Sequence, residues 1–225
     1  MAHGWAGLRD RILDLLYPPH CLGCGGQGAW LCKACLSTVV PAGEPRTLLV
    51  EVEGGTWPLP IYSVGVHTGL PRRAVHALKY EGKRVLAEPM AAEMAALLGA
   101  WARSADWVVP VPLHRSRRRE RGYNQAELLA GALATHLGLP MPKGCLARVR
   151  QTPPQVGLSV AERKENVAGA FSAHARVRER RLLLVDDVYT TGATIGACAA
   201  ALAAAGGVPV GAVTFTRAGS AMDDL

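Results

Sequence analysis

Between Arg181 and Thr194 the chain reads RLLLVDDVYTTGAT, a string that few folds accommodate. Residues 182–185 are a continuous apolar run, the pattern of a strand buried on both faces inside a parallel sheet. The run ends in two carboxylates, Asp186 and Asp187, then a short loop rich in hydroxyls, then an Ala-rich stretch over 194–205 that reads as a helix. Strand, loop and helix in that order form the repeating unit of an α/β fold. The loop is where chemistry would gather. A helix N-terminus and the amides of residues 189–194, including those of Tyr189 and Ala193, form an anion nest. Thr190, Thr191 and Thr194 add hydroxyl donors, and Gly192 lets the backbone approach a phosphate. Carboxylates beside a phosphate cradle repel it unless they serve another part of the same ligand. Vicinal sugar hydroxyls or a divalent metal would suit them, so the ligand so described is a phosphorylated ribose. Thr194 alone could be a helix cap and an Asp pair a solvated strand end; the joint string is far less common than either. The chain holds no G-x-x-x-x-G-K-[ST], and no G-x-G-x-x-G follows a strand.

The same alternation continues on both sides. Residues 61–67 alternate as a strand, 69–71 read as a turn and 74–80 as a short helix. Residues 86–103 form an amphipathic helix through Leu86, Met90, Met94, Leu97, Leu98 and Trp101. Residues 107–111 are β-rich, 125–137 helical, and 208–216 a closing strand. This predicts a parallel sheet flanked by helices. Residues 40–60 carry Pro41, Gly43, Pro45, Gly54, Gly55, Pro58 and Pro60 and read as irregular structure with a short strand at 48–52. The expected division is therefore a small module over 1–45, a linker over 46–60, and the main domain over 61–225. Hydrophobic residues make up 49% of the 225, enough for a sizeable core, and aromatic residues only 5%, which argues against a protein built on base-stacking platforms. The net charge of +7 suggests polyanionic partners without choosing between phosphorylated small molecules and nucleic acid.

Cys21, Cys24, Cys32 and Cys35 form two C-x2-C turns within fifteen residues. In a reducing compartment this density argues for metal rather than disulfides, with a redox pair as the alternative. Four thiolates complete a tetrahedron around Zn2+ and leave no open position, so the expected zinc is structural. His20 adjoins the first ligand as a bystander, and Cys145 and Cys198 read as small buried residues. Residues 5–17 space Trp5, Leu8, Ile12, Leu15 and Leu16 on one helical face among charges, too short and polar for a signal or membrane segment. A cytoplasmic protein without membrane insertion is expected.

Residues 186–194 resemble the phosphoribosyl pyrophosphate (PRPP) signature of type I phosphoribosyltransferases. The resemblance extends along the chain through YPPHCLGCG, LCKACL, LKYEGKR, VVPVPLHRSRRRERGYNQAELLA, TPPQVGLSVAERKENVAGAF and LLLVDDVYTTGAT. Together these are similar to the ComF family of competence-associated phosphoribosyltransferase-like proteins. The fold class implied is α/β, a type I phosphoribosyltransferase-like parallel sheet flanked by helices, with an N-terminal four-cysteine zinc-finger module. The resemblance places a pyrophosphate loop at 112–117, with Arg115 and Arg117 as phosphate ligands. Arg is suited to bidentate phosphate contacts, although a run of five Arg over 115–121 is often just a solvated face. A mobile loop over 150–166 would bring Arg163 and Lys164 to the leaving group, with Lys79 and Tyr80 contributing from the N-terminal part.

The resemblance further implies Mg2+ bound with PRPP, the 5′-phosphate on residues 190–194, and Asp186 and Asp187 on the ribose hydroxyls. No residue stands out as a general base. The short stretch after Thr194 leaves no room for a C-terminal hood over a nucleobase, so the acceptor is unidentified. Three functions stay open: a phosphoribosyltransferase, a single-stranded-DNA-binding competence factor working with other DNA-processing proteins, and a PRPP sensor without turnover. The oligomeric state is not legible.

Overall fold

A computed structural model describes residues 18–151 and 160–219; the amphipathic stretch expected at 5–17 lies outside them. After a single helical turn α1 (Lys33–Leu36) in the cysteine module, β1 (Arg46–Val52) and β2 (Gly55–Val66) form an antiparallel hairpin. Helices α2 (Gly69–Tyr80) and α3 (Ala87–Leu98) lead to β3 (Trp107–Pro110), followed by α4 (Arg115–Arg121) and α5 (Gln125–Leu137). Strands β4 (Leu146–Arg148) and β5 (Phe171–Ala173) pair separately, with α6 (Val160–Val167) between them in sequence. The chain returns through β6 (Arg181–Tyr189), α7 (Ala193–Ala204) and β7 (Val208–Arg217). The main sheet has the order β1-β2-β7-β6-β3, parallel except for β1 at its edge.

Strand β6 explains the layering. Side chains alternate across a strand, and residues 182–185 are all fully buried. Leu183 and Val185 face a core built with Leu78 of α2, Met90 and Met94 of α3, and Leu129 and Leu133 of α5. Leu182 and Leu184 face the opposite core, with Ile195, Cys198 and Leu202 of α7 and Phe171 of β5. An apolar run without alternation is what such a doubly covered strand requires.

Four local expectations are corrected. Residues 46–60 are not irregular: they are β1 and the first half of β2, turning through Glu53 and Gly54 (φ +87°). Pro58 and Pro60 are tolerated because β2 meets β7 only from Ile61 onward, so no second neighbour needs the N–H groups they lack. Residues 69–71 are the first turn of α2 rather than a separate turn; a helix start leaves N–H groups without partners, so Pro71 costs nothing there. The long helix expected over 86–103 is α3 bracketed by 3-10 turns at Arg84–Leu86 and Gly99–Ser104, the second entered through Gly99 at φ +49°. The aperiodic mobile loop contains a helix, α6; its Pro153, Pro154 and Gly157 lie outside the described residues.

Among the described residues, Arg84–Ser104 alone has the length and apolarity to cross a membrane. Its Leu86, Met90, Met94 and Leu98 are committed to the core. The cysteine module docks on that same core: Leu31 is buried in it, and Leu22, Trp30 and Leu36 pack against it.

Leu184→Ala in the buried strand should destabilise the protein by about 2–5 kcal/mol. Leu49→Ala, on a side chain 66% exposed, should change stability by less than about 0.5 kcal/mol. Urea unfolding of both variants measures the contrast.

Candidate functional site

The parallel strands end in a pocket of about 400 Å3, at the carboxyl edge where open α/β sheets bind ligands. It is lined by Asp186 and Asp187 from β6 and by Tyr189, Thr190, Gly192, Ala193 and Thr194 from the following loop and helix. His67, Lys79, Gln125, Arg148 and Arg163 converge on it from five other segments, and Pro112 and Leu113 from the turn after β3.

The two carboxylates are adjacent in sequence, so strand periodicity turns them to opposite faces of the sheet. Asp187 is 4% exposed and meets the Lys79 ammonium of α2 at 2.7 Å. Burial disfavours the Lys79 charge, but Asp187 and then Asp186 outweigh it and hold the ammonium above its ordinary pKa. Asp186 lies on the α7 side and accepts a hydrogen bond from the Asp187 N–H at 2.9 Å. Burial, then the neighbouring Asp187 charge, pushes the Asp186 carboxyl up to about 8. The adjacent carboxyls therefore have different surroundings: one is ion-paired, the other is held neutral.

The loop needs its glycine for two reasons. Gly192 has φ +79° and starts α7, its carbonyl accepting from the Gly196 N–H at 2.7 Å. A Cβ there would stand 2.9 Å from Leu48 Cδ1 of β1 and from Tyr189 Cε2. Thr191, expected among the phosphate donors, does not line this pocket: its hydroxyl is buried without a hydrogen-bond partner, and the residue borders a separate groove with Leu48 and Ala200.

His67 was not legible as a site residue, since in sequence it is a lone histidine after a strand. Its Nδ1 lies 2.8 Å from Thr216 Oγ1, and that hydroxyl donates to the Asp187 carbonyl at 3.4 Å. With its proton given there, Thr216 accepts from Nδ1–H and leaves Nε2 as an acceptor. Burial first, then Lys79, lowers the His67 pKa, which favours the neutral ring. Arg148, beside Phe171 at 5.4 Å from its ring, also lines the pocket.

The arginines divide. Arg163 reaches the pocket from α6, and its Nε is buried without a hydrogen-bond partner; the Lys164 side chain lies outside what is described. Arg115 and Arg117 stand exposed on α4 and do not line this pocket. Arg117 lines a separate cleft with Lys79, Tyr80 and Arg121. Of the loop expected at 112–117, the pocket receives Pro112 and Leu113 rather than those arginines.

At the other end, the sulfurs of Cys21, Cys24, Cys32 and Cys35 all lie within 4.8 Å of one another. Gly23 makes that possible, because a Cβ there would lie 2.6 Å from Cys35 Sγ. Hydrogen bonds from Cys32 and Cys24 push the Cys35 thiol up to about 12, while the amides of Cys32, Cys24 and Gly23 outweigh burial to bring Cys21 to about 6. A dication relieves that crowding, and four thiolates suit a closed, structural zinc. Cys145 and Cys198 are buried and their thiols raised by burial, as small core residues.

Known proteins match both regions. A double zinc ribbon domain matches residues 12–46. "DNA utilization protein YhgH" of Salmonella typhi is 32% identical over 182 residues, 79% of this chain and 73% of that protein. "Competence protein F" of Haemophilus influenzae is 44% identical over 91 residues, a stretch spanning 40% of its length. "Competence protein ComFC" of Bacillus subtilis is 32% identical over 91 residues, 34% of its length.

Two measurements test this geometry. Lys79→Ala leaves Asp187 buried without its cation and should lose about 3–5 kcal/mol in urea unfolding; adding Asp187→Asn should recover most of it. For Asp186, the raised pKa means the folded state holds its proton more tightly than the unfolded chain. That stabilisation is full below about pH 4, the ordinary carboxylate range, and is lost as pH rises through about 8. Asp186→Asn should flatten the decline in stability between pH 5 and pH 8.

Proposed function

The chain belongs to the ComF family, and from that premise we propose that it binds PRPP and transfers the phosphoribosyl group, releasing pyrophosphate, in the service of DNA uptake or use. One observation carries the reading: the Asp186–Asp187 pair lines a single pocket at the sheet's carboxyl edge together with Tyr189, Thr190, Gly192, Ala193 and Thr194. The DNA context comes from the names of the relatives, a competence protein and a DNA utilization protein.

In this reading the 5′-phosphate sits on the loop amides and on the Thr190 and Thr194 hydroxyls, facing the start of α7. Asp186 and Asp187 hold the ribose hydroxyls, and the negative potential of the ion-paired Asp187 favours the cationic ribose that develops as C1–O breaks. The bonding pair leaves with pyrophosphate, toward Arg148 and Arg163. An acceptor nitrogen supplies the new bond to C1, and its proton passes to the free Nε2 of His67. Asp187, and Asp186 once it gives up its proton, suit Mg2+ arriving with PRPP, which would supply charge neutralisation to the leaving group.

A second reading, direct binding of single-stranded DNA, is favoured by α4. Its Arg115, Arg117, Arg118 and Arg119 are exposed and turned away from the phosphate pocket, leaving a cationic face open to a polyanion.

Calorimetry with PRPP and Mg2+ should show binding that weakens about tenfold in Thr190→Ala, the loss of roughly one hydrogen bond to a charged group. Gly192→Ala should abolish it. Absence of binding to the unaltered protein overturns the reading. Binding without pyrophosphate release across a broad screen of acceptors leaves a PRPP sensor.

A further inference from the structure

Beside the phosphate pocket, and sharing Lys79 with it, lies a second cleft of about 250 Å3 lined by Lys79, Tyr80, Gly82, Arg117, Glu120, Arg121 and Tyr123. It forms where the end of α2 meets α4. Its floor is fixed: the Tyr123 hydroxyl donates to the Leu78 carbonyl, and the Arg84 guanidinium lies 4.4 Å from the Tyr123 ring. Its wall is not. Tyr80 is 66% exposed, a large aromatic ring left in water at the last residue of α2. The Arg121 guanidinium stands 5.2 Å from that ring and the His76 ring 5.1 Å from it, while Arg121 is itself steadied by Gln125.

We propose that this cleft is a subsite in which one base of a single-stranded nucleic acid stacks on Tyr80, with the flanking phosphates running along the arginines of α4. An exposed ring accepts the π-face of any base, and neighbouring guanidiniums take the backbone charge. The cleft is smaller than the ~300–1,000 Å3 of pockets that enclose a drug-sized ligand. It therefore takes one ring system and leaves sugar and phosphate outside, where Arg117 and Arg121 stand. Glu120 is the one acid in its lining, and Arg117 lies 3.9 Å from it. A duplex, whose bases are stacked inside, cannot offer a base to such a ring. The inference rests on the DNA-handling part of the proposed function and not on PRPP binding.

Fluorescence anisotropy with a labelled 20-mer of deoxythymidine tests it, alongside a duplex of equal length. The 20-mer should bind the unaltered protein more tightly than the duplex does. Tyr80→Ala should weaken the single strand by about 5–100-fold, the range for losing one stacked base, while Tyr80→Phe keeps it. Tyr80, expected beside the leaving group, does not line the other pocket; urea unfolding of Tyr80→Ala should match the unaltered protein, which separates a lost stacking contact from a lost fold. Irradiating a 20-mer carrying 5-iododeoxyuridine should crosslink to the peptide containing Tyr80. No binding of the single strand, equal affinity in Tyr80→Ala, or crosslinks confined to other peptides each overturns the subsite. A protein that binds the 20-mer through Tyr80 but takes no PRPP keeps this inference and loses the phosphoribosyl reading; the reverse result does the opposite.

Discussion

A carboxylate withdrawn from water must be met by a cation, and Asp187 is met by Lys79. That contact fixes the last turn of α2 beneath the end of β6, and much else depends on where α2 stops. Leu78, one residue earlier, gives its carbonyl to Tyr123 and so locates the junction of α4 and α5. Tyr80, one residue later, is pushed out past the core into solvent. Thus one ion pair sets the pocket at the strand ends on one side of Lys79 and the aromatic cleft on the other. A buried pair of this kind is weak evidence of net stability, because desolvation cancels much of the attraction. Its work is positional.

The legible parts of the fold were those that local pattern determines. Residues 125–137 were readable as a helix to their ends, since Asn124 caps the N-terminus and Gly138 closes the other in the left-handed region. Strand β6 was readable because burial on both faces removes polar residues from the run. Of the hairpin at 46–66, strands were readable at 48–52 and from 61, but not the stretch through Pro58 and Pro60, because prolines signal breakage unless the missing neighbour is known, and which strand flanks which is a tertiary fact. The site divides in the same way. Asp186, Asp187 and the Thr/Gly loop are contiguous, so their chemistry could be read as a phrase. His67, Arg148 and Lys79 arrive from distant segments: Lys79 was expected only through the resemblance, and nothing local distinguishes His67 from the other histidines. The arginine run illustrates the opposite error: a conspicuous cluster invites assignment to the nearest expected ligand, yet α4 carries Arg115 and Arg117 away from the pocket.

The cysteine module is more than an appended bead. Four sulfurs brought within 4.8 Å cannot all ionise without a cation, so its local structure depends on metal. Leu22, Leu31 and Trp30 then apply that structure to the core beside α2, and the chain leaving the module continues as a bridge from Pro41 to Gly65 of β2. Gly65 is required at that crossing, where a Cβ would come within 2.5 Å of Val39. Metal binding and the seating of α2 are thereby mechanically linked.

The opposed directions of the two adjacent carboxylates have a consequence for motion. Asp187 belongs to the layer of α2, and Asp186 to the layer of α7. A molecule gripping both would span the rim of the sheet like a rivet through two plates. Such a ligand would restrict sliding of the helical layers against each other, and its departure would restore that freedom. The strand end is then a place where occupancy is converted into stiffness, felt as far away as the two helices reach.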